Sequence, residues 1–202
     1  MRRSRVLVAL LTLLASSVVV VPTAQAFDPE LTFRKGTFVL SGEASYGWQF
    51  ELEPKRDFTT LEFWDLGVRF GLLPFETLGH DSWLYGAFEF GLEPLYQKYT
   101  IPKSRFWAGL SAVVRYHFLG LGRLVPYVEI AGSAGGTDQS IPEIRSDFAF
   151  LIFGGFGASY FLNDHTAVYG GYRWQHVSNG NTSEPNRGFE SNVAVIGLSY
   201  FF

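Results

Sequence analysis

Read along the chain, apolar and polar side chains alternate in segments of 11 to 17 residues, and the alternation predicts eight strands at 36–52, 58–70, 82–93, 105–118, 124–134, 146–161, 165–179 and 188–202. The pattern is clearest at the C-terminal end. In the last segment Ala194, Ile196, Leu198, Tyr200 and Phe202 share one parity, while Ser191, Gly197 and Ser199 share the other. Successive side chains of a strand point to opposite faces, so the first set reads as an apolar exterior and the second as a narrow interior. In the seventh segment Val168, Tyr172 and Trp174 alternate with Arg173 and Gln175, which cost far less inside a polar barrel than against hydrocarbon. No long window carries a helical stripe.

These strands are longer than those of ordinary globular sheets and match the roughly 9 to 11 residues that cross a bilayer with tilt, plus extensions. Backbone groups in lipid must be paired internally, and strands achieve this only by closing into a barrel. The connections at 71–81, 119–123 and 162–164 alternate with mostly longer, more polar ones at 53–57, 94–104, 135–145 and 180–187. Short turns on the periplasmic side and long loops outside are what an even-stranded barrel predicts, although 71–81 and 53–57 fit poorly. A soluble calyx or sandwich would need a polar exterior, whereas Phe88, Phe90, Phe148, Phe150 and Ile152 compete for outside positions here. The expected fold is all-β, an eight-stranded antiparallel transmembrane β-barrel.

The N-terminus does not share this pattern. Arg2, Arg3 and Arg5 precede a mildly apolar stretch from Val6 to Val21, and Ala24-Gln25-Ala26 offers small residues at a cleavage site. Residues 1–26 are therefore expected to be a cleaved export signal, with 27–202 as the barrel domain and the cell outer membrane as its destination. The mature chain has 13 basic and 19 acidic side chains, a formal charge of −6, with no basic tract to bind nucleic acid. There is no cysteine, and the four histidines lack the spacing of a helical zinc motif, so neither metal nor cofactor is called for. The 20 Phe, 10 Tyr, 5 Trp and 22 Gly suit a strand-rich wall with tight turns.

Candidate chemistry gathers in Arg173-Trp174-Gln175-His176-Val177-Ser178-Asn179 and, after a loop, Gly188-Phe189-Glu190-Ser191-Asn192. His176 and Ser178 lie two residues apart on one strand, so their side chains share a face roughly 6 to 7 Å apart. The parity of Tyr172 and Trp174 puts both outside, and that of Ala194 and Ile196 puts Glu190 outside too. A neutral imidazole can take the proton of a serine hydroxyl, and a carboxylate on its other nitrogen fixes the tautomer. The competing reading of such residues is an ordinary polar barrel rim. If the mature N-terminus is periplasmic, the patch lies at the external rim, near the ester groups of outer-leaflet lipid. A noncatalytic structural or adhesive barrel would not need these residues, and a transport channel needs an interior wider than eight strands leave.

At these residues the chain resembles the lipid A 3-O-deacylase family, known as PagL. The resemblance rests on His176-Val177-Ser178-Asn179 and on Glu190 within Gly188-Phe189-Glu190-Ser191, with supporting similarity in Val125-Pro126-Tyr127-Val128-Glu129-Ile130-Ala131-Gly132. It covers about residues 105–202. Residues 27–100 match chiefly in barrel pattern, and Ala131 precedes the glycine of the fifth-strand motif. The resemblance implies an eight-stranded outer-membrane barrel that removes the ester-linked 3-position acyl chain of lipid A or lipopolysaccharide. It implies His176 as base, Ser178 as nucleophile, Glu190 as the residue orienting the histidine, and Asn179 as a stabiliser of the oxyanion. Extra length in the first half leaves room for another acylated lipid as substrate. Arg145, at a loop-to-strand boundary, is a candidate contact for lipid phosphate, as are Lys98, Lys103 and Arg105, while Glu129 is a candidate interior partner for Arg173. A homodimer is compatible with the chain.

Overall fold

The computed structural model describes residues 27–50 and 59–202. Eight antiparallel strands close on themselves in sequence order: β1 (Phe38–Phe50), β2 (Glu62–Leu72), β3 (Gly86–Ile101), β4 (Arg105–Phe118), β5 (Leu124–Thr137), β6 (Phe148–Phe161), β7 (Thr166–Ser178) and β8 (Phe189–Phe201). The seam joins β1 to β8 from Val39↔Phe201 to Phe50↔Glu190, which leaves no open sheet edge. The expected export signal at 1–26 and the connection at 53–57 lie outside the described residues.

Throughout the barrel the even-numbered side chains face outward and the odd-numbered ones inward. Exposed Leu66, Phe70, Leu92, Leu110, Ile130, Phe156, Ile196 and Leu198 form an apolar outer belt. That belt suits only hydrocarbon, and the chain is a membrane-spanning barrel.

The inside is polar and full. Arg173 donates through Nε to Glu129 at 2.6 Å and through Nη2 to Glu43 at 2.9 Å. Arg115 donates to Glu129 at 3.0 and 2.9 Å. Arg69 reaches Glu93 at 2.6 Å and Glu129 at 3.2 Å. Glu129 thus takes bonds from three arginines, including the expected Arg173, and every charge in the cluster has an opposite charge beside it. Side chains occupy the lumen where a channel would have to run.

One rim, which carries both ends of the described barrel, is closed by a plug. Its short helix α1 (Pro29–Thr32) is capped by Asp28, whose carboxylate accepts from the backbone of Glu30 and Leu31. The next residue, Phe33, is fully buried among Phe161, Phe201 and His117, a burial that stabilises by roughly 1.5 to 3 kcal/mol. Thr32 and the backbone N–H of Asp28 donate to Asp164, fixing the plug to the β6–β7 turn.

The bounds of β4 agree with the sequence pattern, whereas β3 does not. The polar run from Pro94 to Ile101, expected as loop, continues the strand, leaving 102–104 as the turn. Pro94 stands opposite Leu110 on the outer face, and Leu95, Gln97 and Tyr99 point inward and are buried. Glu93 and Gln97 are polar because the lumen is polar, not because the chain has left the barrel. Lys98 consequently belongs to a strand and not to an exposed loop.

Candidate active site

At the rim opposite the plug, β7 and β8 pair so that His176 stands directly across from Glu190 and Trp174 from Asn192. Both members of the first pair carry outward parity, which brings the imidazole and carboxylate together on the outer wall. The His176 Nδ1 to Glu190 Oε1 distance is 3.0 Å. Side-chain exposures of 26% and 21% leave the pair open to a substrate yet shielded by the wall around it. Trp174 stacks nearly parallel to the imidazole, 16° between planes, and Tyr172 donates to Asn192 at 2.7 Å one step further down the wall. These side chains line the approach from the apolar belt.

Ser178 closes β7 on the same face, opposite Phe150 of β6. With Nδ1 directed at Glu190, the Nε2 of His176 is the nitrogen left to receive a proton. Among the described residues the Ser178 hydroxyl has no side-chain hydrogen bond. The hydroxyl is thus left without a fixed side-chain partner on the face it shares with His176.

Gly188, just before β8, has φ +70° and lies against the edge of the imidazole. A Cβ there would meet His176 Cε1 at 2.7 Å and Nε2 at 3.1 Å, so only glycine lets the ring keep its place. The N–H groups of Arg187 and Gly188 both donate to the carbonyl of Glu143, at 2.8 and 3.0 Å. The Glu143 side chain is itself buried, accepting from the Thr59 N–H at 2.7 Å and from Gln49 Nε2 at 3.2 Å. Glu143 therefore ties the loop at 138–147 to the end of β1 and to the backbone that carries Gly188. Sequence reading passed over Glu143 and named Gly188 only as part of the motif around Glu190.

Asn179 follows Ser178 but points the other way. Its side chain is fully buried, and its amide donates to the Ser183 carbonyl at 2.8 Å, to Ser183 Oγ at 2.9 Å and to the Arg145 carbonyl at 3.4 Å. Its backbone N–H donates to Asn186 Oδ1 at 2.7 Å. Asn179 thus organises the turn at 179–188, in which Gly180 and Asn181 both have positive φ. Among the described residues neither of their N–H groups donates to a backbone carbonyl. Arg145 leaves its guanidinium exposed, while its backbone joins this turn through Pro185, Ser183 and Asn179. The described His, Asp and Glu residues form no cluster of three that could hold a metal ion. Arg105 and Lys103 lie with Gln139 around a separate small cleft of the same rim.

An eight-stranded wall with a polar, filled lumen and an apolar outer belt defines an outer-membrane barrel, and solved barrels of this kind superpose on it. Neisserial surface protein A (NspA) is 16% identical, with a TM-score of 0.60, over 83% of this chain and 100% of that one. The outer membrane enzyme PagL is also 16% identical, with a TM-score of 0.56, over 79% of this chain and 97% of that one. At such identity the likeness extends to the fold alone. No curated protein sequence matches the chain. Family membership comes from the sequence itself: the profile of lipid A 3-O-deacylase (PagL) matches residues 42–199, and the chain belongs to that family of outer-membrane lipid A hydrolases.

Proposed function

We propose that this barrel hydrolyses the ester-linked acyl chain at the 3 position of lipid A, with Ser178 as nucleophile, His176 as general base and Glu190 as the carboxylate that orients the histidine. The observation that carries this reading is the His176–Glu190 pair at 3.0 Å on the outer wall, with Ser178 two residues on along the same face. The Ser178 Oγ attacks the acyl carbonyl as its proton passes to His176 Nε2. Collapse of the tetrahedral intermediate returns that proton to the departing sugar oxygen, and water then releases the fatty acid from the serine by the same route. Glu190 holds the tautomer with the proton on Nδ1 and stabilises the imidazolium as it forms.

Negative charge on the carbonyl oxygen needs donors aimed at it. With the Asn179 side chain turned inward, we assign that role to the backbone N–H groups of Gly180 and Asn181, and Asn179 acts by fixing their turn. Arg145 supplies a cation for a lipid phosphate at the neighbouring loop. This chemistry belongs to the outer leaflet, reached after residues 1–26 direct export and are removed.

The test is mass spectrometry of lipid A incubated with the folded wild type and with Ser178→Ala. Loss of one hydroxyacyl chain from position 3 with the wild type alone is the expected result. Removal of a chain from another position, or activity only on a different acylated lipid, moves the substrate. Equal turnover by Ser178→Ala refutes the nucleophile, and an inactive wild type favours a noncatalytic structural or adhesive barrel.

A further inference from the structure

The β2–β3 connection at 73–85 is far longer than a strand reversal requires, and it is held at several points. Leu73 exchanges backbone bonds with Gly36 and Thr37 at 2.7 and 3.0 Å, Leu78 exchanges a pair with Gly86 at 2.8 and 3.0 Å, and Leu119 donates to the Tyr85 carbonyl at 2.8 Å. One side of the connection is polar and faces the plug. Glu30 of α1 accepts from the Tyr85 hydroxyl and from Thr77 Oγ1, and His80 Nδ1 lies 3.4 Å from the same carboxylate.

The other side is apolar and folds outward, over the barrel wall. Phe75 packs edge-on against Phe90 of β3. Trp83 of the same connection is 82% exposed, and Phe75, Leu78 and Leu84 are exposed with it. Between this flap and the wall runs a groove of about 550 Å³, lined by Leu78 and Leu84 from the flap and by Phe88, Tyr116, Phe118 and Val128 from β3, β4 and β5. Those four wall residues carry the outward parity of the lipid-facing belt, so the groove opens directly onto hydrocarbon.

We propose that this groove seats one acyl chain of a glycerophospholipid in the leaflet on the terminal side of the membrane, with Trp83 anchoring the flap at the lipid–water boundary. Three features select this occupant. The groove is continuous with the surface that already meets lipid, and a spanning barrel presents that surface to acyl chains first. A tryptophan at the edge of the belt sits where indole is favoured, its ring in apolar surroundings and its N–H at the headgroups. The exposed acids of this connection, Glu76 and Asp81, complement a headgroup carrying an ammonium, as in phosphatidylethanolamine. The site lies at the opposite rim from Ser178 and does not depend on the chemistry proposed there.

The test is native mass spectrometry of the full barrel refolded in mixed micelles containing phosphatidylethanolamine. The wild type should retain one phospholipid, and Leu78→Glu/Leu84→Glu should lose it while keeping the barrel's β-sheet circular dichroism. Retention that is equal in the two proteins, or a wild type without lipid, overturns the proposal, as does a second copy of the chain occupying this face. Should the double variant not fold, Leu84→Cys in this cysteine-free chain carries a nitroxide into the groove. In phosphatidylethanolamine vesicles that label should be relaxed by oxygen and protected from an aqueous nickel chelate. Exposure to nickel equal to that of a label on the loop residue Glu184 contradicts the proposed seat.

Discussion

Gly188 is pressed against His176 so closely that the smallest side chain at position 188 would overlap the imidazole, at 2.7 Å from Cε1. Its positive φ adds backbone strain for any other residue. Gly188→Ala is expected to turn the ring away from Ser178, and a misplacement of this order costs about 100-fold in kcat. Steady-state kinetics should show the loss in kcat with KM little changed, in a barrel whose resistance to urea is nearly that of the wild type.

Glu190→Gln removes the charge that matches the imidazolium and permits the opposite tautomer. By analogy with triad carboxylates generally, kcat should drop by about 10²- to 10⁴-fold, with substrate binding preserved. A kcat equal to that of the wild type would count against Glu190 as the carboxylate that orients His176.

Glu143 works through its backbone on Gly188 and through its carboxylate on Gln49 and Thr59. Glu143→Ala leaves buried donors without an acceptor, at about 1 to 3 kcal/mol, and loosens the loop that steadies Gly188. Activity should decline in kcat, and Glu143→Gln, which retains one acceptor oxygen, should recover part of it. Loss of stability with full kcat would restrict Glu143 to a structural role.

Inside the wall, Glu129 is the common acceptor of Arg69, Arg115 and Arg173. Glu129→Ala strands buried guanidinium charge, and removing one partner from such a cluster costs about 3 to 5 kcal/mol. The urea midpoint of unfolding in detergent should shift down accordingly. If the midpoint holds, the remaining carboxylates, Glu43 and Glu93, carry the arginines unaided.

Much of this architecture is legible in the alternation of side chains. The last two strands announced their faces because Arg173, Gln175 and Ser191 interleave with Trp174, Ala194 and Ile196, and the same parity brought His176 and Glu190 to one side. Applied one residue further, it also turns Asn179 inward, where its amide is spent on Ser183. The second half of β3 was obscured by Pro94, Gln97 and Lys98, whose types signal loop in proteins with apolar cores. The grip of Glu143 on Gly188 leaves no mark in the sequence, since it joins two connections 45 residues apart through a backbone carbonyl. The plug was likewise hidden, because Phe33 needs the barrel to be closed before it has anything to fill.

His176, Ser178 and Glu190 sit on the outside of a cylinder with a solid interior, so nothing has to enter the protein for them to be reached. In the proposed reaction a lipid meets them by sliding sideways within its own leaflet. Encounter is then a matter of molecules per unit area: adding buffer leaves the rate alone, whereas adding inert lipid to the same membrane slows it.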